Sequence, residues 1–153
     1  SSGPDRALHL CIRRQRLRCL RDRGRLGRRE PQIYGTTTHD DLVARLIEYG
    51  RELGLDVEVR QTDSEERMMG WIHQAADDRT PIVINPAAWS HYNIAIADAL
   101  AQLGAPCIEV HISNIAAREE FRHHSVVSAH VTGTIVGLGL KGYELALSWL
   151  ATD

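Results

Sequence analysis

A chain of 153 residues is one domain by the usual scale, long enough for a real core, with the 43% apolar and 25% charged composition of an ordinary soluble globular protein. A net charge of −2 carries no electrostatic case for nucleic acid, and no apolar run approaches the roughly 20 residues of a membrane span. Cys11, Cys19 and Cys107 have no metal spacing and an odd count, against a disulfide framework; no signal peptide is visible, and a cytoplasmic location is expected.

The first stretch, Ser1 to Arg25, is anomalous. Ten of the seventeen arginines fall before Glu30. Leu8, Leu10, Ile12, Leu17 and Leu20 are scattered among arginines, which makes a weakly amphipathic basic helix and a poor strand. Residues 1–24 are therefore expected to be an atypical leader, disordered or non-native, and residues 25–153 the folded domain.

Gly27 to Gly35 reads as a loop by its glycines and proline. Thr37 or Thr38 should cap a helix with Leu42, Val43, Leu46, Ile47 and Leu53 inward, stopped by Gly54. Leu55 to Arg60 alternates as a strand. Thr62-x-x-Glu65 reads as a capping box for a helix burying Met68, Met69, Trp71, Ile72 and Ala75. The continuous apolar run Thr80 to Asn85 marks a strand buried on both faces, and a helix follows from Asn93 to Leu103. A strand from Cys107 carries Glu109, His111 and Ser113 at period two, then a short helix covers Ala116 to Phe121. His130 to Val136 is the last strand, and a helix from Tyr143 to Leu150 directs Leu145, Ala146, Trp149 and Leu150 inward. Alternating strands and helices imply an α/β domain with a parallel sheet covered on both faces, its first strand degraded or replaced.

Gly137-Leu-Gly-Leu-Lys-Gly142 matches GxGxxG, but no second βα unit follows, so a tight strand-to-helix turn is the better reading. His111, His123 and His124 lack the spacing and the nearby carboxylate of a metal site. No GxSxG elbow or phosphate-binding Gly-Lys loop supports acyl or phosphoryl transfer. What remains gathers at strand ends: Tyr34 with Arg28 and Arg29, Asn85 and His91, Glu109 and His111, Arg118 and Arg122. A guanidinium beside a tyrosine stabilises the phenolate, and Glu109, two residues from His111 on one strand face, can hold and polarise the imidazole. Base and acid of that kind suit proton abstraction and elimination on a small anionic substrate, without metal or cofactor.

The pieces Leu26-Gly-x-Arg-Glu-Pro-x-x-Tyr34-Gly, Asp63-Ser-Glu with Trp71-Ile-His73, Val83-Ile-Asn-Pro-Ala-Ala-x-Ser-His91, Glu109-Val-His-Ile-Ser-Asn114, Arg118-Glu-x-Phe-Arg122 and Gly142-Tyr143 stand in fixed order. In these pieces, over about residues 25 to 150, the chain resembles type II 3-dehydroquinate dehydratase. The resemblance implies a flavodoxin-like three-layer sandwich, a homododecamer built as a tetramer of trimers, and the third step of the shikimate pathway, on the route to chorismate and the aromatic amino acids. The reaction it implies is cofactor-free anti elimination of water from 3-dehydroquinate through an enolate. Tyr34 then matches the proton-abstracting tyrosine, Arg29 the arginine that lowers its pKa, His111 the general acid and Glu109 its orienting partner. Asn85, His91 and Arg122 match substrate-binding positions, and Ile112 and Ser113 those whose backbone amides grip the carboxylate. Asp98 matches a contact made across the trimer interface, Arg118 a loop arginine, and Gly27 to Gly35 a mobile lid.

The departure is at the front. The family's apolar first strand ends in Asn-Gly-Pro-Asn-Leu-Asn, whereas Cys19 to Gly24 stands there in this chain, with Asp22 in place of the enolate-holding asparagine. A carboxylate opposes the charge that must develop. A leader rich in arginine and cysteine is also what a GC-rich coding region yields out of frame. Two rival readings follow: another small-acid hydro-lyase on this scaffold, or an inactive homologue whose basic arm binds a partner.

Overall fold

The computed structural model describes residues 8–13 and 17–18 by their backbone and residues 39–152 in full. The expected arginine and tyrosine at positions 29 and 34, the loop around them and the cap before the first helix lie outside the described residues. In chain order the elements are β1 (Leu8–Arg13), β2 (Leu17–Arg18), α1 (His39–Glu52), β3 (Asp56–Gln61), α2 (Glu65–Asp78), β4 (Ile82–Asn85), α3 (Ile94–Leu100), β5 (Cys107–His111), β6 (Gly133–Val136) and α4 (Lys141–Ala151). The strands make one sheet in the order β2-β3-β1-β4-β5-β6.

Pairings β4–β5 and β5–β6 are parallel, as expected. The leader departs from expectation. Leu8–Arg13 fills the slot between β3 and β4, antiparallel to both, with Leu10 opposite Val59 on one side and Val83 on the other. Strands β3 to β6 therefore share one direction and β1 runs against them. The physical reason lies in the ladder. An empty slot would leave the facing N–H and C=O groups of β3 and β4 unpaired, and any extended segment that alternates as Leu8, Leu10 and Ile12 do can close both rows.

Two layers of helix complete the domain because the central strands are apolar on both faces. Ile82 and Ile84 of β4 point to one side with Cys107, where Met68, Ile72 and Ala75 of α2 and Ile96 and Leu100 of α3 pack on them. Val83, Ile108 and Val110 point to the other, against Leu42 and Leu46 of α1 and Tyr143, Ala146 and Leu147 of α4. Burying each of the valine, leucine, isoleucine and methionine side chains stabilises the fold by about 1.5–3 kcal/mol relative to exposure. Arg45 binds Glu144 at 2.7 Å and the Tyr49 hydroxyl meets Ser148 Oγ at 2.6 Å, tying α1 to α4 above this layer.

Several local expectations shift. Ser64, not Thr62, caps α2: its side chain accepts from the Arg67 N–H, while Thr62 Oγ1 accepts from the Ser64 N–H and shapes the approach. Helix α4 turns Tyr143, Ala146 and Leu147 inward, so Leu145 and Trp149 face outward on the opposite side of a 3.6-residue period. The short helix expected over residues 116–121 is two 3₁₀ turns, Ile115–Ala117 and Glu120–Arg122, and the last strand starts at Gly133 rather than His130. Gly137 to Gly142 is the tight turn expected. Gly137 has φ +85 and would place a Cβ 3.2 Å from the Asn114 Cα, so only glycine lets this turn close against the loop that leaves β5.

Candidate active site

The carboxyl ends of β4 and β5 lie side by side, and the loops leaving them enclose a small, mostly polar cleft. Its walls include Asn85, Ala87, His91, His111, Ile112, Ser113, Arg118 and Arg122. Seven of the positions singled out in the sequence thus share one cleft. Asp98 does not; it is exposed on α3.

Glu109 and His111 project from one face of β5 because they are two residues apart. Glu109 is wholly buried and His111 nearly so, and the His111 Nε2 donates to Glu109 Oε2. The second carboxylate oxygen accepts from Ser128 Oγ at 2.7 Å. A buried carboxylate costs free energy unless both oxygens are satisfied, and here both are.

Asn85 ends β4 and holds the loop beyond it. Its Oδ1 accepts from the Ala87 N–H at 2.9 Å, which steadies Ala87 in a left-handed conformation (φ 49) that a non-glycine residue rarely adopts. Its Nδ2 donates to the buried Tyr143 hydroxyl at 2.8 Å. His91 donates from Nδ1 to the His124 carbonyl at 2.8 Å and stacks on His111 with ring centroids 6.5 Å apart. Partial burial holds the His91 pKa below its ordinary value of 6.5, with help from His111 and Arg122; the His124 hydrogen bond and Glu109 oppose the shift.

The arginines sit on the 3₁₀ segments after β5. Arg122 is buried and donates from Nε to Glu119 Oε2 at 2.6 Å, while Arg118 reaches Ser113 Oγ at 3.3 Å. Glu119 is held below the usual carboxylate range by its own backbone N–H first and then by Arg122 and Arg118. The cleft therefore carries two guanidinium groups and two imidazoles around a polar floor, a setting for a small anion and for proton transfer. Sequence reasoning missed Ser128 and Glu119. Ser128 has no periodic relation to β5, whereas Glu119, between two arginines of one short turn, offered an i,i+3 signal.

The family model described as Dehydroquinase class II matches residues 22–151. The chain belongs to that family. Over 128 residues it is 63% identical to a 3-dehydroquinate dehydratase of Salinispora tropica, covering 84% of this chain and 90% of the relative. It is 58% identical to one of Mycobacterium tuberculosis, covering 84% and 87%. The crystal structure of a type II dehydroquinase from Propionibacterium acnes superposes with a TM-score of 0.84 at 94% identity, over 87% of this chain and 92% of that one. The flavodoxin-like α/β fold of the class II dehydroquinases thus holds the cleft at its strand ends, and β1 and β2 precede the matched stretch.

Proposed function

We propose that this chain is a 3-dehydroquinate dehydratase of the shikimate pathway that works by anti elimination, with its own side chains as base and acid. The observation that carries the reading is the buried Glu109–His111 pair opening onto a cleft lined by Asn85, His91, Arg118 and Arg122. In the reaction, the Tyr34 phenolate removes a proton from the carbon beside the ketone, and the C–H electrons move into an enolate. The enolate then restores the carbonyl and expels the hydroxyl one carbon further on, which takes a proton from His111 and leaves as water. The product is a conjugated enone. Glu109 fixes the imidazole and balances its charge, and Arg29 stabilises the tyrosinate. Asn85, His91 and Arg122 bind substrate hydroxyl and carboxylate groups, the amides of Ile112 and Ser113 hold the carboxylate, and Arg118 closes the cleft's outer side.

The same reading makes the protein a cytoplasmic homododecamer, a tetramer of trimers in which Asp98 serves a neighbouring site. Exposed Ile94, one turn before Asp98 on α3, with exposed Tyr92 just ahead of the helix, gives an apolar rim suited to such a contact. No helix among the described residues is long and apolar enough to cross a membrane.

Ultraviolet absorbance of the enone tests the chemistry directly. The chain is expected to turn over 3-dehydroquinate, and Tyr34→Phe to lower kcat by about 10²–10⁴-fold, the usual worth of a positioned base. A folded chain with no turnover would support the inactive homologue with a binding arm instead.

A further inference from the structure

We propose that Ser128 is a positioning residue for the acid of this reaction, setting the His111 imidazole through Glu109. The inference rests on the dehydratase reading for its kinetic consequence, but its geometric content stands apart from it. Glu109 has no exposed surface, so only protein groups can fix the plane of its carboxylate. One oxygen is taken by His111 and the other by the Ser128 hydroxyl, which donates at 2.7 Å from a different segment of the chain. With His111 alone, the carboxylate is free to turn about its last torsion, a broad and soft one. With Ser128 as well, two contacts on opposite oxygens define the plane, and the plane defines where the imidazole points.

The segment that carries Ser128 is itself rigidly held. Ser125 Oγ accepts from the backbone N–H groups of Val127 at 3.2 Å and Ser128 at 3.1 Å. The Val126 N–H donates to the Ser90 carbonyl at 2.7 Å, and Val127 is wholly buried in the core beneath. The residue before this turn, His124, supplies the carbonyl that orients His91. Residues 124–128 therefore set both cleft imidazoles, one directly and one through Glu109. A hydroxyl on such a support is pre-organised, and displacing a reacting group by about 1 Å costs on the order of 100-fold in rate.

The experiment compares Ser128→Ala and Ser128→Thr with the unaltered chain by steady-state kinetics and by ¹⁵N NMR of the His111 ring, assigned with His111→Gln. Ser128→Ala is expected to lower kcat by about 10–100-fold with KM within about threefold, because the group acts on the acid and not on substrate binding. Its His111 Nε2 signal, which reports the hydrogen bond to Glu109, should shift. Ser128→Thr keeps the hydroxyl and should recover both kcat and the ring signals, which a merely structural loss would not do. Unchanged His111 signals in Ser128→Ala, or an alanine variant as fast as the unaltered chain, would overturn the proposal. If the unaltered chain fails to turn over 3-dehydroquinate, the dehydratase reading falls while the ring signals still decide the role of Ser128.

Discussion

The carbonyl of His124 can only accept a hydrogen bond, so the Nδ1 of His91, 2.8 Å away, carries the proton. In the neutral ring the Nε2 lone pair is then the group His91 offers, an acceptor suited to a substrate hydroxyl. Partial burial favours that neutral form and holds the pKa below 6.5, with the charges of His111 and Arg122 adding to the shift. The native state thus binds this proton less readily than the unfolded chain. The contribution of His91 to stability is present above the unfolded value of about 6.5 and is lost as pH falls through the depressed folded value. An NMR titration of its Cε1–H should show a midpoint below 6.5. A midpoint at or above that value would mean the ring is better solvated or more strongly paired than the geometry indicates. Asn85, Glu109 and His111 were legible from sequence because each stands at a strand end, and His91, Arg118 and Arg122 because they stand in the loops that follow those strands. Ser128 was not, because a contact between β5 and a turn nineteen residues later leaves no local pattern.

At the level of elements, legibility followed the strength of the hydrophobic period. Strands β4 and β5 are continuous apolar runs buried on both faces, and their boundaries stood close to expectation. Helix α4 misled because apolar residues occupy more than one face, so composition could not tell Leu147 from Leu145. Residues 8–13 departed from the expectation of a poor strand. The arginines around them speak against a strand, yet a slot flanked by two ladders recruits backbone regardless of side-chain preference. Leu10 stands at the centre, opposite both Val59 and Val83. Leu10→Pro removes the N–H at that position and sets a ring into an interior strand, where proline is essentially excluded. The variant is expected to lose about 1–3 kcal/mol of stability, the cost of leaving a buried ladder acceptor unpaired, seen as a lower midpoint in urea or heat. An unchanged midpoint would show that this strand contributes nothing to the fold and would support the expectation that residues 1–24 are an atypical, disordered or non-native leader.

At the scale of the whole molecule, the cleft as built from one chain holds two imidazoles and two arginines, while Asp98 stands outside it on the exposed side of α3. An aspartate with a part in the reaction must then act on a neighbour's cleft, which closed cyclic symmetry permits for every subunit at once. Mixing two impaired variants tests this. Tyr34→Phe keeps Asp98, and Asp98→Ala keeps Tyr34; each alone is expected to lose most turnover. In oligomers assembled at random from equal amounts of both, a site needs an intact Tyr34 from one subunit (one half) and an intact Asp98 from the next (one half), so about one quarter of sites recover. If both residues served the cleft of their own chain, no subunit would carry a complete set, and mixing would restore nothing. Recovered activity near one quarter, rising as the subunits exchange, would therefore establish both that the oligomer forms and that its sites are shared. Absence of recovery in an oligomer shown by light scattering to be mixed would confine the chemistry to the single chain and leave Asp98 a surface residue.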